Sequence, residues 1–227
     1  MNDDILLIDK PAGWTSFDVV AKIRSGIRTE YRDKGEKPTK KQLRVGHAGT
    51  LDPFATGLLI VLKGDACKKA GEFLKLDKVY EATIRLGQTS TTGDPEGELT
   101  KVSDRRPTID EVKATLEKFV GEITQRPPIY SAIKIDGQRA YKLARKGEEV
   151  VIPTRQVTVF SLELINYNYP DLKIRTHVGS GTYIRTLAED IGRDLGVGAY
   201  CSELRRTLIE KWSVEDALTM TDWGLSK

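Results

Sequence analysis

The sequence is poor in the residues that build disulfide frameworks and histidine–cysteine metal centres. It has two cysteines, Cys67 and Cys201, which lie far apart, and two histidines, His47 and His177. Two distant cysteines provide neither a disulfide framework nor a CxxC redox pair, and a reducing compartment is their usual setting. With so few thiol and imidazole ligands, a His/Cys metal cluster is not expected. The composition therefore predicts a cytoplasmic protein that binds no metal.

Long apolar runs are also missing from the chain. None approaches the roughly 18–20 residues that a helix needs to span a bilayer. The longest candidate, residues 58–62, has the length of a buried strand. The first four residues, Met-Asn-Asp-Asp, are acidic and unlike a signal peptide. We therefore expect no membrane partner.

The net charge of the chain is small, but basic residues are concentrated in one segment. The 36 basic and 33 acidic residues leave a net charge of +3, which is not the balance of a histone-like binder. Between Arg24 and Arg44, however, eight basic residues accompany three acidic ones, a local net charge of +5 that leaves −2 for the rest. Gly35 and Pro38 predict a mobile loop here. Taken alone, this segment fits a solvated loop and a nucleic-acid contact equally well.

The pattern of apolar residues predicts a mixture of strands and helices. Alternation and short apolar runs predict strands at residues 5–8, 58–62, 79–86, 156–167 and 172–178. Capping signals and three-to-four spacing predict helices at residues 15–28, 108–119, 138–146, 182–195 and 213–218. The long strand pairs favour an α/β fold of the α+β type, with a mixed, largely antiparallel central sheet flanked by helices and loops. We expect a single domain over residues 1–227, with a basic insert at about 25–44.

One segment stands out as a candidate reactive loop. Residues 45–57 hold three glycines, His47, Thr50 and Asp52, and they directly precede the apolar run. Glycine allows the backbone to approach a ligand closely, and Pro53 biases Asp52 toward an extended conformation. An aspartate held on a rigid loop can act as a nucleophile or base. Spacing alone favours a simpler alternative, a turn in which the aspartate caps local amides.

Several motifs together are similar to those of one enzyme family. Gly46-His47-Ala48-Gly49-Thr50-Leu51-Asp52-Pro53 with Ala55-Thr56-Gly57 resembles the catalytic motif of the bacterial tRNA pseudouridine synthase B family. Further motifs resemble this family in the correct order and cover nearly the whole chain. They are Asp9–Ser16, Lys78–Ala82 with Arg85–Gly87, Arg126–Lys134 with Gly137, Tyr141, Ala144 and Arg145, Gly181–Ala188, and Leu204–Thr207. Each motif is weak alone, and the ordered set is highly specific.

This resemblance implies conversion of uridine to pseudouridine in tRNA, with position 55 of the T loop as the usual target and no cofactor. Asp52 matches the family's essential aspartate, which attacks either the ribose C1′ or the uracil C6, and both routes remain open. Arg185 matches the arginine that pairs with it. Tyr80 matches the tyrosine that stacks on the base and is a candidate for moving the C5 proton. Without the motifs, Arg185 would be assigned to a solvated helix face and Tyr80 to sheet packing.

The resemblance also implies a substrate-binding set. His47 matches the residue that holds the site vacated by the flipped uridine, although a capped loop histidine is the alternative for it alone. The remaining binding candidates are Tyr183, Lys134, Gly46, Thr50 and Leu204. Next to the aspartate loop, RNA contact becomes the favoured function of the basic segment. Its candidates for the RNA backbone are Lys37, Lys40, Lys41 and Arg44.

Some features depart from the family pattern. Ile209–Trp212 replace a usual Gly and Phe, Val178 replaces a common Cys, and Ser90–Asp94 lacks one acidic residue of the usual turn. Family members commonly carry a C-terminal PUA domain, and we expect none here. A monomer acting on the tRNA T stem-loop is the expected form. The alternatives are a synthase with another RNA target and an RNA-folding chaperone or binding module for tRNA.

Overall fold

A computed structural model of the chain describes residues 4–128, 134–135, 138–139 and 152–221, the two short stretches by their backbone alone. The chain divides into two compact units, Met1–Tyr80 with Leu204–Lys227, and Glu81–Glu203. The strands are β1 Ile5–Lys10, β2 Val45–Ala48, β3 Thr56–Lys63, β4 Lys78–Leu86, β5 Gln88–Ser90, β6 Leu99–Lys101, β7 Gly121–Gln125, β8 Lys134–Ile135, β9 Gln138–Arg139, β10 Arg155–Asn168, β11 Asp171–Val178, β12 Ala199–Ile209, β13 Trp212–Ser213 and β14 Leu218–Thr219. The helices are α1 Ser16–Asp33, α2 Ala70–Leu74, α3 Ile109–Glu117 and α4 Ile184–Asp194, with 3₁₀ turns at Gly64–Lys69 and Val214–Asp216.

The first unit is built around strand β3. It pairs antiparallel with β1 and β2 and parallel with β12, and β1 pairs parallel with β14. Leu59 and Val61 face a core that includes Val20 and Ile23 of α1, whereas Leu58 and its alternating neighbours face a second core. Burial on both faces explains why β3 is a continuous apolar run rather than an alternating one.

The second unit carries the long antiparallel pairs. In its sheet the order is β4, β11, β10 and β7, with β10 antiparallel to both neighbours. Two register shifts in β10 lie beside β11, one of them between Val159 and Ser161. Helix α3 is capped by the Thr108–Glu111 box. Buried side chains of α4, including Leu187 and Ile191, form part of the core.

The predicted fold class is confirmed, since helices flank a mixed, mostly antiparallel sheet. All five predicted strands are present, and the capping predictions at Thr15, Thr108 and Ser213 are confirmed. Three helix predictions were wrong in extent. Helix α1 continues to Asp33, so half of the expected mobile segment is helical; the last predicted helix is one 3₁₀ turn followed by β14; and Gln138–Arg139 form a strand, not a helix start. The rest of the helix predicted to residue 146 lies outside the described residues. None of the described helices has the length and apolarity needed to cross a lipid bilayer.

Candidate active site

Asp52 lies on the loop that connects β2 to β3, residues 49–55. Its side chain is half-buried, and the Ala55 amide donates to the Asp52 carbonyl oxygen at 3.1 Å, which closes a tight turn. Gly49 and Gly57 flank the loop with φ values of +99° and +102°, in the left-handed region that glycine occupies without steric cost. This bond uses the main chain of Asp52, and the turn places the aspartate between two strands, whereas capping of local amides by its side chain remains a prediction.

The N-terminal segment holds this loop on both sides of Asp52. The Leu51 amide donates to Ser16 Oγ at 2.9 Å, and the hydroxyl donates back to the Leu51 carbonyl at 3.1 Å. On the other side, Gly13 N donates to the Pro53 carbonyl at 2.8 Å, and the fully buried Lys10 ammonium also reaches this carbonyl, at 3.3 Å. Buried hydrogen bonds of this kind restrict backbone motion, because breaking one leaves a polar group unsatisfied.

Arg206 on β12 joins the two ends of the same loop region. Its Nε donates to the Leu58 carbonyl at 2.7 Å and its Nη2 to the Gly49 carbonyl at 3.0 Å, and the residue is 1% exposed. A Cβ on Gly57 would lie 2.3 Å from the Arg206 carbonyl oxygen, so only glycine fits beside this strand. The rigid fork of an arginine suits two acceptors in fixed positions.

The other predicted residues of the first unit lie on the neighbouring strands. Gly46 and His47 are on β2, where they pair with Leu62 and Val61 of β3. Tyr80 on β4 and Leu204 on β12 are each 8% exposed, and Thr50 is exposed. The structure thus brings these residues and Asp52 into one unit.

Arg185 and Tyr183 belong to the second unit, at the start of helix α4. The Arg185 guanidinium donates from Nη1 to Asp94 Oδ2 at 2.8 Å and to the Thr92 carbonyl at 2.9 Å. Both side chains of this ion pair are only 4% exposed. Arg185 lies in the first helical turn, where a cation opposes the helix dipole, and Asp94 provides the anion that compensates it. Pairing of Arg185 with Asp52, which lies in the other unit, remains a prediction.

Asp94 is itself held in place by its own turn. Its Oδ1 accepts from Thr92 Oγ1 at 2.6 Å and from the Glu96 amide at 3.0 Å, and its carbonyl accepts from Ser90 Oγ at 2.5 Å. The turn motif that departs from the family pattern therefore keeps the carboxylate that binds Arg185. Sequence reasoning missed this role of Asp94, because a turn aspartate with a local capping pattern gives no sign of a distant cation.

Glu189 lies one turn beyond Arg185 on α4 and borders a cavity of about 530 Å³. Burial raises the pKa of Glu189, the Asp190 charge raises it further, and Arg185 opposes the shift. A Cβ on Gly93 would lie 2.8 Å from Glu189 Oε1, so the turn that carries Asp94 passes directly beside this carboxyl group.

Tyr183 is fixed by a buried glutamine. Its backbone N–H donates to Gln125 Oε1 at 3.0 Å, and Gln125 Nε2 donates to its carbonyl at 3.3 Å, while Gln125 is fully buried. Lys134 lies on the short strand β8, which is described by its backbone only. The motif residues 129–133, Gly137, Tyr141, Ala144 and Arg145 lie outside the described residues.

The basic segment is partly neutralised within the first unit. Lys41 Nζ lies 2.5 Å and Arg44 Nη1 lies 3.6 Å from the carboxylate of Asp65, which Lys68 also contacts. The hydrogen bonds from Lys41 and Lys68 lower the pKa of Asp65 to about 2. Lys37 and Lys40 form no described ion pair, so the four predicted phosphate contacts are not equivalent.

Comparison with known proteins identifies the family. Residues 37–184 match the TruB family pseudouridylate synthase N-terminal domain, and residues 185–223 match the tRNA pseudouridylate synthase B C-terminal domain. The chain belongs to the TruB family. The resemblance found in the sequence motifs is therefore confirmed.

Curated TruB relatives match over most of the chain. Proteins named tRNA pseudouridine synthase B are 46% identical in Thermobifida fusca and 43% identical in Opitutus terrae, covering 98% and 96% of this chain and 74% and 86% of those proteins. Among solved structures, a chain of a Cbf5-Nop10-Gar1 complex matches with a TM-score of 0.71 and 30% identity over 96% of this chain. The match covers 53% of that chain, so the present protein spans about half its length.

TruB membership gives the two outermost motifs a physical meaning. Lys10 in the first motif contacts the Pro53 carbonyl beside the family aspartate, and Arg206 in the last motif contacts the Gly49 and Leu58 carbonyls at the two ends of its loop. Sequence reasoning selected Leu204 from the last motif and missed Lys10, Ser16 and Arg206. No composition or spacing signal distinguishes these buried cations from the exposed lysines and arginines elsewhere in the chain.

Proposed function

We propose that the chain isomerises uridine to pseudouridine in tRNA, at position 55 in the T loop. Family membership and the curated relatives named tRNA pseudouridine synthase B support the reaction and the class of substrate. In this reaction the N1–C1′ bond breaks, the uracil rotates, and a C5–C1′ bond forms while the C5 proton is lost and N1 gains a proton. Substrate and product are isomers, so no external oxidant or reductant is consumed.

Asp52 is the proposed nucleophile. The observation that carries this assignment is the fixing of residues 51 and 53 by Ser16, Lys10 and Gly13. A nucleophile must keep its geometry while the uracil detaches and turns, and a loop secured on both sides supplies that order before the RNA arrives. Attack at C1′ and attack at C6 both use the same ionised carboxylate.

Arg185 is the proposed charge partner of Asp52, with Asp94 as the residue that positions Arg185. Carboxylates that enter a desolvated pocket tend to gain a proton, and a nearby guanidinium keeps them ionised. Asp94 orients the guanidinium, because its carboxylate accepts from Nη1 of Arg185. In this arrangement Asp94 acts through Arg185 and does not touch the substrate.

The remaining assignments concern the flipped uridine and the RNA backbone. Tyr80 is proposed to stack on the base and move the C5 proton, and His47 to hold the vacated stack, since extracting a base costs a few kcal/mol. Tyr183, Lys134, Gly46, Thr50 and Leu204 are proposed to line the pocket. The proposed backbone contacts are Lys37, Lys40, Lys41 and Arg44. We also propose a cytoplasmic monomer that contacts the T stem-loop, and the relatives named tRNA pseudouridine synthase B support tRNA as its partner.

A synthase with another RNA target and an RNA-folding chaperone are the alternatives. A T stem-loop RNA with tritium at C5 of each uridine separates them, because isomerisation releases one tritium per pseudouridine. The purified wild-type chain is expected to release tritium with multiple turnovers, and mapping of the product is expected to show pseudouridine at position 55. Release from other RNAs alone would favour the alternative target, and RNA refolding without release would favour the chaperone.

A further inference from the structure

Arg155 opens strand β10 and stacks on Tyr183. Its guanidinium carbon lies 4.8 Å from the centroid of the Tyr183 ring. Cation–π stacking of this kind fixes the plane of a guanidinium but uses none of its N–H groups as hydrogen-bond donors. The contact therefore leaves the donors of Arg155 to be satisfied elsewhere.

Two of these donors have no acceptor among the described residues. The Nε and Nη2 atoms of Arg155 are shielded from solvent and bind no acceptor in the part of the chain that the structure describes. These nitrogens share one edge of the guanidinium, the edge that binds two oxygen atoms side by side. Buried N–H groups of a charged side chain are rarely left unbound, because the cost of desolvation is not recovered.

The surroundings of Arg155 hold this edge in place. A Cβ on Gly181 would lie 3.3 Å from the guanidinium, so the glycine backbone packs directly against it. Tyr183, whose ring stacks on Arg155, is fixed at its backbone by Gln125. By contrast, the buried guanidinium groups of Arg185 and Arg206 each bind protein acceptors. Arg155 is thus a cation held in place, with two donors that no described residue accepts.

We propose that Nε and Nη2 of Arg155 bind a phosphate group of the RNA strand next to the target uridine. The inference rests on the proposed function, which assigns Tyr183 to the uridine pocket. Phosphate is the anionic group that RNA supplies, and its two non-bridging oxygens match the paired N–H groups of arginine. In this arrangement one residue pair links the two parts of the substrate, with Tyr183 beside the base and Arg155 on the backbone.

The first test measures binding without turnover. All variants carry Asp52→Asn, and T stem-loop RNA is titrated at several salt concentrations. Arg155→Gln is expected to weaken binding about tenfold and to make the salt dependence of log K shallower by about 0.7 to 0.9, the value of one phosphate contact. Arg106→Gln is the matched control, because Arg106 stacks on Tyr169 at 5.4 Å and is exposed, and it should change neither quantity. Wild-type affinity and slope in Arg155→Gln would overturn the proposal.

The second test identifies the contact and separates it from a structural role. Neutral methylphosphonates replace the phosphates flanking the target uridine one at a time. At one position, the methylphosphonate RNA should bind the protein that keeps Arg155 more weakly than the unmodified RNA does. Arg155→Gln should bind the two RNAs equally at that position, because its contact is already missing. Arg155→Lys keeps the charge but not the paired N–H groups, so its loss at that position should be smaller than that of the Arg155 protein, and it serves as the comparison if the glutamine variant does not fold. Equal losses in both proteins at every position would contradict a phosphate contact.

Failure of the Arg155 contact and failure of the proposed function give different results. These experiments report binding, whereas tritium release by the wild-type chain reports isomerisation. Absence of release would overturn the proposed function, whatever Arg155 binds. Normal release with an unchanged phosphate profile would overturn the Arg155 contact alone.

Discussion

The Arg185 guanidinium and the Asp94 carboxylate form a buried ion pair, joined at 2.8 Å with each side chain 4% exposed. The turn Ser90–Asp94 and the start of helix α4 are thereby locked together inside the second unit. A buried pair adds little net stability compared with well-packed apolar residues, but it is strongly destabilising to remove one partner. This asymmetry makes Asp94 the residue on which the placement of Arg185 depends.

We expect Asp94→Ala to destabilise the protein by about 3–5 kcal/mol, because the Arg185 cation is then buried without its anion. Urea unfolding measures the change. The control is Asp104→Ala, which removes an exposed pair of similar length, 2.6 Å to Lys101, and should cost no more than about 1 kcal/mol. Similar losses in the two variants would contradict the structural importance of the buried pair. In the milder variant Asp94→Asn, the fraction of protein that still folds should form pseudouridine slowly while still binding RNA.

We expect Arg206→Lys to slow catalysis more than binding. Lysine keeps the charge but cannot span the Leu58 and Gly49 carbonyls, so the loop that carries Asp52 loses a brace. A misplacement of about 1 Å can reduce kcat about 100-fold, and the affinity for T stem-loop RNA should stay at the wild-type value. Single-turnover kinetics and RNA titration separate the two effects.

The matched variant for this comparison is Arg205→Lys. Arg205 is the neighbouring residue on β12, pairs with Asp9 at 2.8 Å and contacts the Thr56 hydroxyl at 3.4 Å, and it forms no described bond to the two carbonyls that Arg206 binds. Its kcat should remain near that of the wild type. If Arg206→Lys and Arg205→Lys had equal kcat values, the bracing role of Arg206 would have to be abandoned.

The raised pKa of Glu189 predicts that the stability of the protein depends on pH. Burial raises its pKa above the unfolded value of 4.5, so the native state keeps this proton at pH values where the unfolded chain has lost it. Stability from this group is therefore present below pH 4.5 and is lost as the pH rises through the folded pKa. We expect Glu189→Gln to be more stable than the wild type at pH 7 by up to about 1 kcal/mol, discounted for partial solvation, and not at pH 4.

The measurement is urea unfolding of both proteins from pH 4 to pH 7. Glu117→Gln on the exposed face of α3 provides the control and should run parallel to the wild type across this range. A constant difference between Glu189→Gln and the wild type at every pH would show that the pKa of Glu189 is the same in the folded and unfolded chain.

The basic segment should divide into two classes of lysine. Lys37 and Lys40 form no described ion pair, whereas Lys41 is bound to Asp65, which raises the pKa of Lys41 and offsets its charge. Lys37→Ala with Lys40→Ala is expected to weaken RNA binding and flatten its salt dependence by up to about 1.8, two phosphate contacts on a duplex. Lys41→Ala should flatten it less. An unchanged slope in the double variant would assign the segment to the solvated surface.

Local sequence signals predicted the helices and strands well where interactions between residues close in sequence determine them. Thr15 and Thr108 cap their helices as the Thr-x-x-acid spacing indicates, and Leu58–Leu62 form a strand because five apolar residues suit a layer covered on both faces. The end of α1 was placed too early, at Arg28. Alternating acidic and basic residues at helical spacing, such as Glu30 and Lys34 at 2.6 Å, carry the helix on to Asp33.

The candidate site was only partly visible in the sequence. Motif resemblance selected Asp52, Tyr80 and Arg185, but it did not reveal what holds them. Lys10, Arg206 and Asp94 act through contacts that span between 43 and 157 positions of the chain or lie deep in the core. Such pairings depend on the tertiary fold, and a charged residue has the same letter whether it is solvated or buried.

The central claim is that Asp52, held on its braced loop, is the nucleophile. The most direct measurement is single-turnover pseudouridine formation at position 55 of T stem-loop RNA by Asp52→Asn, with RNA affinity measured in parallel. We expect wild-type affinity and no detectable product, because the amide preserves the shape of the side chain but cannot form the covalent intermediate. Pseudouridine formation by Asp52→Asn at the wild-type rate would contradict it.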